Sequence, residues 1–129
     1  AQTRLDNIFG MAALIAAYND GEEWLDQAIA YVSDNKAYLD QFLRERIPQI
    51  RMIPSEGTYL VWLDCSQLPY RGRALEQFMI NEAKVAFCAG YEFGEQGEAF
   101  LRMNVACPRC TLTKALEQIE KAVNALSLQ

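Results

Sequence analysis

The side chain with the clearest chemical potential is an arginine in the middle of an apolar, strand-like run at residues 100–105. Apolar and polar residues alternate along this run, so Arg102 and Asn104 share one face of the predicted strand and the other face is apolar. A guanidinium is costly to bury unless a planar anion meets it. That anion is a carboxylate of the protein or of a ligand. The simpler alternative is an arginine on the wet face of a half-exposed strand.

A second pattern is Cys107-Pro108-Arg109-Cys110, which places two thiols where a helix is predicted to begin. A Cys-x-x-Cys at a helix N-terminus is the arrangement of thioredoxin-like proteins, so thiol-redox chemistry is one hypothesis. A zinc site needs two further ligands, and Cys65 and Cys88 stand apart without paired spacing. Ordinary thiols around a strand-to-helix turn are the simpler interpretation, and no metal site is predicted.

Composition narrows the remaining chemistry. The 129 residues include no histidine, which excludes a Ser-His-Asp triad, a Cys-His pair and every His-containing zinc site within this chain. The net charge of −5 argues against a nucleic-acid partner, because phosphate binding requires a basic surface. No apolar run is long enough to cross a bilayer and no signal-peptide pattern begins the sequence. We therefore predict one cytoplasmic domain, 1–129, with no membrane or nucleic-acid partner.

Hydrophobic periodicity predicts the elements that position the arginine. Asp20 and Glu23 resemble a capping box at the start of a long helix that Pro48 stops. The predicted helices cover 5–18, 20–47, 74–83 and a segment beginning near 111 or 113, and the predicted strands cover 50–53, 58–64, 85–88 and 100–105. The expected fold class is α+β, with a small, mostly antiparallel sheet of about four strands and helices packed on one face.

The first predicted helix is apolar on nearly every side. Such a helix must be covered all round, and a domain of this size can hardly cover it alone. The sequence also begins without a methionine. We therefore expect the chain to be a fragment of a longer protein, with a large exposed apolar surface when isolated.

An ordered set of landmarks resembles a known family. They are Asn7-Ile8-Phe9-Gly10, Ala16-Ala17-Tyr18, Gly21-Glu22-Glu23-Trp24-Leu25-Asp26, Asn35, Pro54-Ser55-Glu56-Gly57-Thr58-Tyr59-Leu60-Val61-Trp62-Leu63-Asp64, Gly90, Phe93-Gly94, Phe100-Leu101-Arg102-Met103-Asn104 and Cys107-Pro108-Arg109. In this order they resemble the C-terminal small domain of fold-type I pyridoxal-phosphate (PLP) enzymes, the class I/II aminotransferases. More narrowly, they resemble the branch of this family that contains cystathionine β-lyases and related carbon–sulfur (C–S) lyases.

The resemblance implies an aminotransferase small-domain fold and a substrate-binding role for Arg102, which would grip the α-carboxylate of an amino-acid substrate. Gly57 and Tyr59 would lie where a strand enters the active-site cleft. The alternative for Gly57 is a position where the backbone conformation requires glycine, and the alternative for Tyr59 is packing in the core. Asn104 would support Arg102, or would be an ordinary sheet-surface asparagine. For Arg109, near the predicted helix start, we expect a structural role such as pairing with a carboxylate.

The same resemblance implies PLP as cofactor of the full-length enzyme, with a large domain and a homodimer partner. The lysines of this chain lack the sequence context of the cofactor lysine: Lys36, Lys84, Lys114 and Lys121. The chain therefore contains no predicted catalytic or cofactor-binding residue, and alone it should be inactive. Lyase and aminotransferase activity remain open. A non-catalytic regulatory or interaction domain is the alternative, and a thiol-redox protein using Cys107 and Cys110 is a further one.

Overall fold

A computed structural model describes residues 7–126. Its regular elements, in chain order, are α1 (Ile8–Asp20), α2 (Glu22–Arg46), β1 (Arg51–Met52), β2 (Leu60–Asp64), α3 (Gly72–Phe78), a π-helical turn (Met79–Ala83), β3 (Cys88–Ala89), 3₁₀ helices at Gly90–Phe93 and Glu95–Gly97, β4 (Phe100–Asn104) and α4 (Arg109–Leu126). The described part of the chain divides into two compact units, with the division between Ser33 and Asp34, inside α2. No helix in the described range is long and apolar enough to span a membrane.

The first unit contains α1, which Asn7 caps by accepting hydrogen bonds from the backbone N–H groups of Phe9 and Gly10 at 3.0 and 3.4 Å. No residue of α1 is buried. The exposed fraction reaches 85% for both Phe9 and Tyr18. This confirms the predicted exposure of a helix that is apolar all round, although the predicted start at Leu5 lies outside the described residues.

The predicted capping box at Asp20 is wrong. Asp20 is the last residue of α1, and α2 begins at Glu22. The break falls at Gly21, whose N–H donates the last hydrogen bond of α1 to the Ala17 carbonyl oxygen, and a Cβ there would lie 2.4 Å from that oxygen. Glycine alone fits there, and the acidic residues that follow it favour the N-terminus of α2.

Helix α2 ends at Arg46, just before the predicted stop at Pro48. The apolar stripe predicted along its whole length is buried only in the C-terminal half, where Leu39 and Leu43 are at most 1% exposed. In the N-terminal half Leu25 and Ile29 are 51% and 55% exposed. The helix predicted from the apolar period is confirmed, but the period alone does not show whether another part of the protein packs against the apolar stripe.

The second unit contains an antiparallel sheet of order β1-β2-β4-β3, which confirms the predicted α+β class. Side chains on one face of the two central strands are buried and form the core with α2 and α4. The core includes Leu39, Leu43, Val61, Leu63, Leu101, Met103, Leu112, Leu116, Ile119 and Val123. The other face carries Trp62 and Arg102, which are paired across β2 and β4.

Several predicted boundaries are shifted, and two of the shifts have a clear local cause. The third strand is β3 at Cys88–Ala89 rather than 85–88, because Lys84 adopts a left-handed conformation (φ 57°) that closes the π-helical turn and delays entry into the ladder. The last helix begins at Arg109, directly after Pro108, rather than at Thr111 or Thr113. Proline fixes its own φ near the helical value and so favours a helix start beside it.

Two glycines bring the loop that follows β3 against the start of β4. A Cβ on Gly90 would lie 2.2 Å from the Gly97 carbonyl oxygen and 2.4 Å from that of Phe100. A Cβ on Gly97 would lie 2.0 Å from the Gly90 carbonyl oxygen. The conformation of this loop therefore depends on the absence of side chains at both positions.

Gly90→Ala should lower the free energy of unfolding by roughly 1–3 kcal/mol, because the added methyl group must displace backbone atoms. Urea unfolding followed by circular dichroism measures the change. Gly57→Ala is the matched control, since nothing lies within 4 Å of the position of its added Cβ. Equal stability of the two variants would contradict the close approach at Gly90.

Candidate functional site

Arg102 lies in the middle of the sheet, on the face away from the core. In β4 it pairs with Trp62 of β2 on one side and with Cys88 of β3 on the other. Its neighbours Leu101 and Met103 are buried on the core face. The alternation predicted from the sequence is therefore confirmed, and it places the guanidinium on a surface flanked by an indole and a thiol.

The contacts of Arg102 position its guanidinium without neutralising the positive charge. Its Nη2 donates a hydrogen bond to the Cys88 Sγ at 3.2 Å, and its Cζ lies 4.7 Å from the centre of the Phe93 ring. Its Nε is buried without a hydrogen-bond partner. Within residues 7–126 the ion pairs of arginine involve Arg44, Arg46 and Arg51 rather than Arg102.

Aromatic rings form the rest of this face. Trp62 contacts Phe93 edge-on at 5.3 Å between ring centres and Phe100 at 6.2 Å. The three rings, with Ile53, Gln96 and Gly97, line an open concavity of about 450 Å³, and Arg102 adjoins this lining through its contact with Phe93. A partly desolvated cation beside an apolar recess suits a small molecule that carries both a carboxylate and a less polar part.

Asn104 lies on the predicted face but is engaged locally. It is exposed, and its Oδ1 accepts a hydrogen bond from the Ala106 backbone N–H at 2.8 Å. This is an Asx turn, which guides the chain out of β4. The structure therefore gives Asn104 a backbone role at the end of the strand.

Gly57 and Tyr59 lie in the turn before β2. Lys36 Nζ donates hydrogen bonds to the carbonyl oxygens of Ser55 and Gly57, both at 3.1 Å, and so ties this turn to α2. The left-handed residue of the turn is Thr58 (φ 56°) rather than Gly57. Tyr59 is 48% exposed, which contradicts core packing, and its carbonyl oxygen accepts a hydrogen bond from the Val105 N–H at 2.9 Å.

Sequence reasoning assigned no role to Asn35, which is fully buried. Its Nδ2 donates to the carbonyl oxygens of Val105 at 2.8 Å and Cys107 at 3.0 Å, and its Oδ1 accepts from the Nε of Arg109 at 2.7 Å. Arg109 also lies over the ring of Tyr38, at 4.4 Å. Arg109 thus has the expected structural role, although one of its partners is an amide oxygen. The sequence signal that could have pointed to Asn35 is its position as a lone asparagine within the apolar stripe of a helix.

The cysteines do not form a disulfide within the described range. Burial, followed by the proximity of Cys110, raises the pKa of the Cys107 thiol. A redox-active pair needs a thiol whose pKa is lowered, so this environment disfavours the thiol-redox alternative. Cys65 is completely buried, and burial raises the pKa of its thiol to about 12.

Asn35→Ala should lower the free energy of unfolding by about 3 kcal/mol, because two buried carbonyl oxygens lose their donor and Arg109 loses its acceptor. Chemical denaturation measures the change. Asn124→Ala on the exposed side of α4 is the matched control and should change stability by less than about 0.5 kcal/mol. A small effect at Asn35 would contradict the role of its amide.

Alkylation by iodoacetamide at about pH 8 should label the exposed Cys88 and Cys110 first, Cys107 more slowly, and Cys65 only on unfolding. Alkylation of Cys107 and Cys65 is slower because burial raises the pKa of both thiols and limits access of the reagent. Mass spectrometry of the digested protein gives the order. Rapid labelling of Cys107 would instead support redox activity of the pair.

Relatives place this geometry in context, although no family model matches the chain. The chain is 35% identical over 120 residues to the Escherichia coli protein MalY, and the match covers 93% of this chain and 31% of MalY. It is also 35% identical over 118 residues to the cystathionine β-lyase PatB of Bacillus subtilis, covering 92% of this chain and 30% of PatB. The chain therefore spans less than a third of the length of these relatives.

Solved structures agree with these similarities. Cystalysin from Treponema denticola, whose crystal structure contains pyridoxal 5′-phosphate, matches 93% of this chain and 30% of its own, with a TM-score of 0.89 and 34% identity. The PLP-bound C–S lyase from Staphylococcus hominis matches 84% of this chain and 29% of its own, with a TM-score of 0.74 and 32% identity. Over nearly all of its length, the chain is thus homologous to part of MalY and of the cystathionine β-lyase PatB, and it has the fold of the matching part of cystalysin and of a PLP-bound C–S lyase.

Proposed function

We propose that this chain is the substrate-carboxylate-binding small domain of a PLP-dependent enzyme that acts on amino acids, as a C–S β-lyase or an aminotransferase. The observation that carries the proposal is Arg102, whose guanidinium is packed by Phe93 and Cys88 but has no acidic partner among residues 7–126. Its planar fork matches a carboxylate through two parallel hydrogen bonds. A bound carboxylate would supply the counter-charge and orient the Cα bond that reacts.

The lysines of the chain do not fit the attachment of the cofactor. Lys36 is held by two carbonyl oxygens, and Lys84, Lys114 and Lys121 are exposed. A lysine that forms a Schiff base is activated by desolvation or by a neighbouring cation. The cofactor lysine would therefore belong to a large domain outside this chain, and the chain alone should be inactive. PLP, when bound, withdraws electrons from Cα of the substrate.

The exposed apolar residues of the first unit are consistent with a place in a larger assembly. Ile8, Phe9, Leu14, Ile15 and Tyr18 are each more than half exposed. A contiguous apolar surface of this kind marks an interaction site. In the proposed enzyme it would pack against the large domain or the partner subunit of a homodimer.

The second candidate function is a non-catalytic interaction domain, and the same exposed face of α1 favours it. The two candidates differ at Arg102, because an interaction domain has no need of an arginine that recognises a free carboxylate. Binding of an amino acid that depends on Arg102 would separate them.

Arg102→Lys in the full-length, PLP-loaded protein should raise the dissociation constant for L-alanine about ten- to a hundredfold, because lysine cannot form both parallel hydrogen bonds. The absorption change of the cofactor measures binding. Ethylamine, which lacks the carboxylate, should bind the variant and the parent equally.

Arg44→Lys is the matched control, since Arg44 is exposed on α2 and pairs with Asp40. It should leave the affinity for both amines unchanged. Unchanged affinity of Arg102→Lys for L-alanine, or an equal loss for ethylamine, would contradict the carboxylate role.

A further inference from the structure

The hydrogen-bonding groups of Arg102 indicate which edge of the guanidinium remains for a ligand. Nε is enclosed without a partner, and Nη2 gives one bond to the Cys88 Sγ. Within the described range Nη1 is not among the donors of any hydrogen bond, and Nη2 keeps a second N–H. A carboxylate would therefore meet the edge formed by Nη1 and Nη2.

We infer that Phe93 and Cys88 are positioning residues that hold the guanidinium of Arg102 so that this edge is presented to a carboxylate. The inference rests on the proposed function and extends it to residues that do not themselves bind the substrate. The Cζ of Arg102 lies over the Phe93 ring, 4.7 Å from its centre, and the Cys88 Sγ accepts a hydrogen bond from Nη2 at 3.2 Å. Together the two contacts restrict the position and the rotation of the guanidinium.

Phe93 is placed firmly enough for this role, although its side chain is 53% exposed. Its ring is contacted edge-on by Trp62, which is the cross-strand neighbour of Arg102. The 3₁₀ helix that carries Phe93 is fixed at one end by the contact of Gly90 with Gly97 and Phe100, described above. Within that helix the Tyr91 hydroxyl donates a hydrogen bond to Glu76 at 2.9 Å.

Cys88 suits its position because sulfur is a weak acceptor. A carboxylate at this place in β3 would pair with Arg102 and compete with the ligand, whereas a thiol orients the guanidinium and leaves its charge to the ligand. An aromatic face likewise attracts a cation without neutralising it. Both partners therefore order the arginine while preserving its affinity for an anion.

The test uses the full-length, PLP-loaded protein and two probes, L-alanine and ethylamine. Phe93→Leu removes the aromatic face and keeps an apolar side chain, so the dissociation constant for L-alanine should rise about two- to fivefold. Phe93→Tyr keeps the face and should restore the parental value. Cys88→Ala should also weaken L-alanine binding, and ethylamine should be unaffected in all three variants because it lacks the group that Arg102 binds.

Phe87→Leu is the matched control, since Phe87 precedes β3 and lines a cavity together with Met103 and Leu112, which are buried on the core side of the sheet. It should leave both affinities unchanged. If Arg102→Lys weakens L-alanine binding but Phe93→Leu and Cys88→Ala do not, the positioning role is overturned and the carboxylate role stands. An equal loss for ethylamine in Phe93→Leu overturns the positioning role as well. If Arg102→Lys has no effect, the proposed function fails, and the positioning role fails with it.

Discussion

The buried amide of Asn35 joins α2 to the segment that leaves β4, and the geometry of the second unit depends on it. Its three hydrogen bonds hold the carbonyl oxygens of Val105 and Cys107 and the guanidinium of Arg109. Each buried polar group left without a partner would cost about 1–3 kcal/mol, so this arrangement excludes alternatives in which the strand slips or the turn reorganises. It anchors the chain where it leaves β4, whereas the face on which Arg102 lies follows from the pairing of β4 with β2 and from the burial of Leu101 and Met103 on the opposite face.

The surroundings of Arg102 show how a protein can keep a cation available. A guanidinium that is partly withdrawn from water normally acquires a carboxylate, and in this structure even the exposed Arg46 pairs with Glu120. Around Arg102 the structure instead provides an aromatic face and a thiol, which stabilise the charge weakly. On the proposed function, the missing electrostatic stabilisation is supplied when a substrate carboxylate binds. The absence of a protein carboxylate among the neighbours of Arg102 would then be the reason why the site binds the carboxylate of a substrate.

Much of this architecture could be predicted from the sequence, because period-2 and period-3.6 patterns reflect which face of an element is buried. The antiparallel sheet, the long second helix and the side of the sheet to which Arg102 belongs are confirmed. The errors lie where the local backbone decides: α1 continues to Asp20, so that α2 starts only after Gly21, and the left-handed Lys84 precedes a third strand that starts later than predicted. The resemblance of the ordered motifs to PLP enzymes is matched by the relatives, whereas the roles of Arg102, Asn104, Gly57 and Tyr59 stay proposals.

The sequence by itself determined the fold class, the candidate arginine and the excess of apolar surface at its N-terminal side, since these follow from residue type and local spacing. Only the tertiary structure decided that Phe93 and Cys88 meet Arg102 and that Asn35 bonds to the chain some seventy residues later. Contacts of that kind join segments distant along the chain. They depend on the strand register and the helix packing, which local patterns do not encode.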